Sequence, residues 1–353
     1  MSGEDKQFKF DVVIGNPPYQ EDGKGDNARA EPIYHYFIDQ AYKVSSIAEF
    51  ITPGRFLFNA GQTPKKWNRQ MLNDEHIKVT FYEQKSSKVF ANTDIKGGVV
   101  VTLRDDKRQE GPIGVFTPFG ELNSLVKKVW SDSNQDSLMT VISARGTYRF
   151  SEKMFQDFPD AKNAMGKGSG NMIVSNSFDR LPDVLQKEQK ESTDYKILGR
   201  YNGKREYRFI VKNYVLMNEY INKYNVFVPE ANGTGAIGEV LSTPLIGEPL
   251  IGEPLIGHTD TFISIGMFDN QYEAKNCLKY IKGRFARTML GVLKVTQHNP
   301  KSTWKYVPLQ DFTANSDIDW TQSIPEIDQQ LYKNYNLSPE EIDFIETHVK
   351  EMD

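Results

Sequence analysis

Cysteine is almost missing: Cys277 is the single one among 353 residues. That excludes a disulfide framework and a cysteine-built zinc site. Histidine is scarce as well. His35, His76, His258, His298 and His348 show neither H-x-x-x-H nor H-x-x-E-H spacing, so no bound metal is expected. No run approaches the ~18 apolar residues of a membrane span. The first five residues, Met1-Ser-Gly-Glu-Asp5, are polar and acidic, unlike a signal peptide. These absences predict a cytoplasmic protein with no membrane role.

What is present can build a core. Apolar residues make up 38% of the chain and aromatics 12%, which argues against disorder as the main state. The length exceeds the ~100–200 residues of one ordinary domain, so two are expected. The formal net charge of −4 hides an uneven spread. Lys196–Lys212 holds six basic residues against Glu206 alone, and 275–305 holds eight with no acid. Residues 311–353 carry eleven acids against Lys333 and Lys350. Two basic stretches can still grip phosphates, because local patches outweigh the sum.

Residues 8–14 read as a buried strand ended by Gly15. Asn16-Pro17-Pro18-Tyr19 can neither extend that strand nor open a regular helix. Residues 32–45 have apolar positions at three- and four-residue steps, as a helix does. Strands at 47–51, 77–82 and 98–103 and a short helix over 64–73 complete a strand–helix alternation, which predicts a mostly parallel α/β sheet. Beyond residue 110 the pattern turns irregular. One helix is expected over 272–293, with Lys275, Lys279, Lys282 and Arg287 on its polar side. Ser338-Pro-Glu-Glu341 starts a capped helix. Pro244-Leu-Ile-Gly-Glu248 recurs at 249–253, and Pro254-Leu-Ile-Gly257 follows. A five-residue period fits neither helix nor strand. It reads as an expanded loop, or as a length-variable segment of a recognition domain.

The chemistry concentrates at Asn16–Tyr19, at the carboxyl end of the first strand, where α/β sheets place their sites. An exocyclic amine on adenine is a poor nucleophile, because its lone pair is conjugated into the ring. Asn16 Oδ1 and the Pro17 carbonyl could accept from its two N–H groups and localise that lone pair. Tyr19 offers a face for base stacking, worth ~1–3 kcal/mol. Nothing in this set must titrate, which suits methyl transfer from a sulfonium donor. The base would have to leave the duplex.

These residues resemble the N6-adenine DNA methyltransferases of bacterial restriction–modification systems. In that family the Asn-Pro-Pro-Tyr loop is followed by a helix with an aromatic (here Ile33–Phe37) and a strand ending in Pro (Phe50–Pro53). A Phe-bearing segment before a Gly/Val-rich strand (Lys88–Thr102) comes last. All appear here in that order over 8–104. The resemblance implies that Asn16, Pro17, Pro18 and Tyr19 form the catalytic loop, with Tyr19 and Phe90 against the flipped base. It implies Phe37 beside the adenine of S-adenosylmethionine, the expected cofactor. The implied partners are double-stranded DNA and a possible restriction endonuclease.

The resemblance departs at one point. The family's first three strands and its Phe-x-Gly-x-Gly cofactor loop precede the Asn-Pro-Pro-Tyr loop, and only fifteen residues precede Asn16 here. An N-terminal methyltransferase segment or subunit is therefore expected as a partner. Gly233-Thr-Gly-Ala-Ile-Gly238 matches G-x-G-x-x-G, but a Pro/Gly repeat follows it where a helix should, so it reads as a turn. Arg200–Arg208 interleaves basic and aromatic residues, and Arg200, Lys204, Arg205 and Arg208, with Lys279 and Lys282, are the expected DNA contacts. Two alternatives stand beside methylation. One is a non-catalytic DNA-binding specificity module. The other is a nuclease using Asp183, Asp194 and Lys196, although 184–192 reads as a charged helix instead.

The expected fold is α/β: a partial Rossmann-like methyltransferase sheet, its C-terminal half, over 1–110. An α+β target-recognition domain over 111–310 follows, then an acidic helical tail over 311–353.

Overall fold

A computed structural model describes residues 9–21, 31–58, 62–95, 97–131, 134–165, 168–192, 194–231, 246–294 and 298–352. The chain divides into two compact units, Met1–Asn123 and Ser124–Asp353. Along the first unit run β1 (Phe10–Gly15), α1 (Tyr34–Val44), β2 (Ser45–Pro53), α2 (Lys65–Asn73), β3 (Ile77–Glu83) and β4 (Val99–Asp105).

These strands form one sheet in the order β1-β2-β4-β3. Only β1 and β2 run parallel, joined through α1. β4 is antiparallel to both neighbours, so the expected mostly parallel sheet is corrected to a mixed one. The cause is the β3–β4 link. A parallel pair needs a crossover, usually helical. The described residues between 84 and 98 instead hold one short turn, Ser86–Lys88, and come back through Gly97 and Gly98, both at positive φ.

Both helices cover the same face of this sheet. Tyr34, Ile38 and Ala41 of α1 and Trp67, Met71 and Leu72 of α2 pack on Ala48, Phe50, Ile77 and Val100, with Val13 at the margin. The opposite face carries Ile14, Glu49, Leu103 and Lys78 in one cross-strand row and Ile51, Val101 and Phe81 in the next. On that face Phe10 is 49% exposed, Val12 51%, Ile14 74% and Phe81 46%, whereas Ile51, Val101 and Leu103 are half-buried. The expectation that β1 is buried is therefore corrected. It is an edge strand with a single covered face.

The second unit begins within α3 (Gly120–Val129). It continues through α4 (Glu152–Asp157), α5 (Ala161–Met165), α6 (Ser177–Arg180), β5 (Tyr195–Tyr201), β6 (Lys204–Ile210) and β7 (Tyr224–Pro229). Then come β8 (Leu250–Gly252), β9 (Ile256–His258), β10 (Phe262–Phe268), α7 (Gln271–Lys282), α8 (Arg284–Gly291), α9 (Ile324–Asn334) and α10 (Pro339–His348). Two three-stranded sheets result, β10-β7-β8 and β6-β5-β9. The β5–β6 hairpin turns at Asn202 (φ 48°) and Gly203 (φ 76°), the two left-handed positions of a type I′ turn.

Three expectations for this unit need correction. The single helix over 272–293 is two, because Gly283 is extended (φ −57°, ψ 150°) between α7 and α8. A Cβ there would sit 2.7 Å from the Asp328 carboxylate, which accepts the α8 amides of Arg284 (2.8 Å) and Phe285 (3.1 Å). That distal carboxylate caps α8 in place of a local residue. Residues 184–192 form turns rather than a charged helix; the Asp194 carboxylate holds them through the amides of Lys190 (3.2 Å) and Glu191 (3.1 Å). The pentapeptide repeat is not wholly loop, since its second and third copies supply β8 and β9. Gly233–Gly238 lies outside the described residues. Ser338 and Glu341 form the expected reciprocal cap of α10, and Ser323 with Glu326 repeats it on α9.

His258 is buried among Tyr148, Phe227 and Phe262. Its Nδ1 donates to the Thr259 carbonyl at 2.8 Å, and its Nε2 accepts from the Ser264 hydroxyl at 2.8 Å. Burial lowers its pKa to about 4, against an ordinary ~6.5. Below pH 6.5 the unfolded chain binds a proton that the folded one refuses until about pH 4. Stability should thus fall by up to about 3 kcal/mol as pH drops through that window. Denaturant unfolding at pH 7 and pH 4.5 checks this: the advantage of the wild type over His258→Gln should shrink on acidification. A gap independent of pH contradicts it.

Candidate functional site

At the carboxyl end of β1 the chain leaves Gly15, whose α-carbon faces the Phe50 ring. Asn16–Tyr19 then runs to a short two-stranded ribbon. The Ile33 amide donates to the Tyr19 carbonyl (3.2 Å), Gln20 bridges Pro32, and the Glu21 amide donates to Glu31 (2.9 Å). The loop is thereby clamped to the entry of α1. Pro17 is buried and Asn16 exposed.

This loop walls a cleft of about 750 Å³. Asn16, Pro17, Pro18 and Tyr19 all line it, facing Tyr34, Pro53, Arg55, Thr63, Asp94 and Ile95. Arg55 and Asp94 meet there because backbones approach unusually closely. The Gly54 amide donates to the Gly98 carbonyl at 2.9 Å, and a Cβ on Gly97 would lie 2.5 Å from Arg55 Cγ. Ser86 orders the opposite loop: its hydroxyl donates to the Thr93 carbonyl (3.0 Å) and accepts the Ile95 amide (2.8 Å). Behind the wall, Trp67 meets Tyr34 edge-on at 6.1 Å and donates to Asp39 at 2.8 Å. Thr63 donates to Asn68 at 2.7 Å.

The phenols of this wall stay neutral. Burial pushes Tyr34 up to about 12, with the Thr63 hydroxyl and the Arg55 charge acting against it. Burial also raises Tyr19, with the Asn16 side chain opposing. Among the described residues the cleft thus offers neutral hydrogen-bonding groups and flat faces, edged by the Arg55 guanidinium and the Asp94 carboxylate.

Not every expected residue reaches it. Phe90 is half-buried on the Ser86–Ile95 loop and is not on the wall; Asp94 and Ile95 of that loop are. Phe37 is 46% exposed on the first turn of α1, whereas Tyr34 of the same turn lines the cleft. Tyr34, Arg55, Thr63 and Asp94 are among the wall residues that sequence reasoning missed. Arg55 alone left a signal, since it follows a strand that ends in Pro-Gly.

The expected DNA contacts divide in the same way. Arg200, Lys204 and Arg205 are exposed on the β5–β6 hairpin, with Arg200 directly opposite Arg205. Arg208 is buried, its guanidinium between the rings of Tyr201 (5.4 Å) and Phe178 (5.6 Å) and 2.6 Å from Glu206. The structure corrects its expected exposure, because β6 turns that side chain into the core. The Lys279 ammonium donates to the carbonyls of Trp320 and Gln322, both at 2.8 Å, tying α7 to the segment before α9. Lys282 is half-buried. The nuclease set is not assembled either. Asp183 is exposed on a turn, Asp194 is spent on local amides, and Lys196 lies over the Tyr207 ring at 4.2 Å. Among the described residues no three acids, histidines or cysteines are grouped to hold a metal. No helix among them is long and apolar enough to cross a membrane.

Residues 2–90 match the family model of the Eco57I restriction-modification methylase. An uncharacterized adenine-specific methylase of Mycoplasma pneumoniae is 27% identical over 154 residues, 42% of this chain and 36% of that protein. The chain thus spans about a third of that relative's length. The crystal structure of the type IIG restriction endonuclease BpuSI aligns at 11% identity and a TM-score of 0.33, covering 96% of this chain and 54% of that one. So low a score fixes neither fold nor function. Residues 2–90, the part similar to the Eco57I restriction-modification methylase, carry the Asn16–Tyr19 loop and most of the cleft wall.

Proposed function

We propose that this chain is part of a restriction–modification enzyme that methylates N6 of adenine in double-stranded DNA. The observation that carries the reading is the Asn16–Tyr19 loop. It forms one wall of a cleft of about 750 Å³ at the carboxyl end of β1. Asn16 Oδ1 and the Pro17 carbonyl accept from the adenine amine, and Tyr19 stacks on the ring. No group in the wall needs to ionise, in keeping with a methyl group delivered already activated.

S-adenosylmethionine is the donor this chemistry implies. The described residues do not form a cradle for it: Phe37 stands exposed and off the cleft wall. We assign that half of the site to a methyltransferase segment or subunit seated on the open face of the sheet. The exposure of Phe10, Val12, Ile14 and Phe81 supports this, since so much uncovered apolar surface marks an interaction face. The β5–β6 hairpin, with Arg200, Lys204 and Arg205, is the proposed phosphate contact of the recognition region.

Arg55 belongs to the nucleotide as well. A flipped base brings its phosphate to the rim of the cleft, and Arg55 lines that cleft among the described residues. Deoxyadenosine 5′-monophosphate should therefore bind more tightly than deoxyadenosine, and the difference should vanish in Arg55→Gln. Deoxycytidine 5′-monophosphate should bind more weakly, because its single ring offers less area to stack on Tyr19. Titration of the full chain, followed by NMR, reads all four. Equal binding of the adenine and cytosine nucleotides would sink the base-pocket reading. Equal binding of nucleoside and nucleotide would remove only the role of Arg55.

A further inference from the structure

The three copies of Pro-Leu-Ile-Gly occupy three different environments. The second places Leu250–Gly252 on β7, where a Cβ on Gly252 would lie 2.4 Å from the Phe227 ring. The third places Ile256–His258 on β5, where a Cβ on Gly257 would lie 2.8 Å from the Tyr148 ring, and holds Leu255 at a left-handed φ of 69°. In the first, Ile246 is fully buried and Gly247 has φ 71°. Glu248 follows: its backbone carbonyl accepts from Arg205, and its carboxylate is 3.9 Å from the same guanidinium.

Arg205 lies directly across from Arg200. Two like charges so placed repel, and an anion between them relieves the repulsion. In this structure the nearby carboxylate of Glu248 partly does so; on DNA a phosphate would compete for the place. We infer that the number of repeat copies controls whether Arg205 is shielded, and so regulates how strongly the hairpin holds DNA. The inference rests on the DNA-contact reading of β5–β6.

The argument follows from sliding the sequence. Remove residues 249–253, and every earlier residue advances five places. Leu245, Ile246 and Gly247 then fill the positions of Leu250, Ile251 and Gly252 with no change of residue type. Leu241 takes the buried place of Ile246, and Ser242 takes the left-handed place of Gly247, a strained but tolerable exchange. Thr243 takes the place of Glu248, so the carboxylate disappears. Insertion of a copy, by the same count, keeps a glutamate there. Losing a copy takes the carboxylate away from Arg205 and leaves a backbone carbonyl in its place; gaining one leaves both.

The test uses the full chain and a mixed-sequence DNA duplex, with anisotropy read across a salt series and thermal unfolding alongside. Deletion of 249–253 and Glu248→Thr should each tighten binding several-fold at low salt. Both should steepen the dependence of log Kd on log salt by up to about 0.9, the increment for one added phosphate contact. One inserted copy should behave as wild type. Gly252→Val, which drives a side chain into Phe227, should lose far more thermal stability than the deletion does. A deletion that unfolds like Gly252→Val overturns the inference. So does Glu248→Thr with unchanged affinity while Arg205→Gln weakens binding; that result leaves the DNA-contact reading intact. If Arg200→Gln and Arg205→Gln bind DNA as wild type, the hairpin reading fails and the inference with it.

Discussion

Asn16→Ala should lower methyl transfer to adenine by roughly 10²–10³-fold, the usual loss when one preorganised hydrogen-bonding group is removed from a transition state. Asn16 is exposed at the lip of the cleft, and backbone bonds of Tyr19, Gln20 and Glu21 hold the loop. The substitution should therefore leave folding and DNA affinity close to wild type. The loss should appear in kcat, with little change in KM for DNA, because the acceptor acts on the amine as it pyramidalises and not on the bound duplex. A comparison of kcat and KM, in whatever assembly transfers methyl groups, checks this. Unimpaired kcat in Asn16→Ala would remove the loop from the chemistry.

Gly98→Val should cost the first unit about 3 kcal/mol or more, combining a left-handed branched residue with overpacking. Gly98 has φ 73°, and a Cβ there would lie 2.5 Å from the Glu83 carbonyl oxygen and 2.9 Å from Gln84 Cα. Neither backbone atom can swing away as a side chain could. The same peptide accepts the Gly54 amide that draws Arg55 to the cleft, so the site should be lost with the stability. Gly111→Ala is the matched control: it too has a left-handed φ (75°), yet nothing lies within 4 Å of its missing Cβ. It should cost only about 1 kcal/mol. Denaturant unfolding of both variants separates strain from collision. Equal losses would mean that the close approach of the two backbones is not what holds the cleft.

The loop at Asn16–Tyr19 was legible in the sequence because its cause is local: two consecutive prolines stop the strand at Gly15, and the four residues line the cleft beyond it. The strands and helices of 10–105 were legible for the same reason, since each writes its period into its own residues. What depends on tertiary pairing was not. The antiparallel course of β4 follows from a link too irregular to cross over, and periodicity is silent on direction. The open face of β1 looked like a core strand, because Phe10, Val12 and Ile14 are apolar whether or not anything covers them. The break at Gly283 depends on a carboxylate more than forty positions away, Asp328. Arg208 looked like a DNA contact and is buried, because composition cannot tell which side of a hairpin is wet. Arg55 and Asp94 share a wall only through the pairing of Gly54 with Gly98.

The central claim is that this cleft holds an adenine for methylation. Transfer of labelled methyl from S-adenosylmethionine to unmethylated bacterial DNA tests it most directly. The chain should be assayed alone and with the polypeptide encoded immediately upstream, and the DNA then digested to nucleosides. The account predicts label in N6-methyladenine, present with the covering polypeptide and lost in Asn16→Ala. Label in a cytosine product contradicts it, as does no label from an assembly that binds both DNA and the donor.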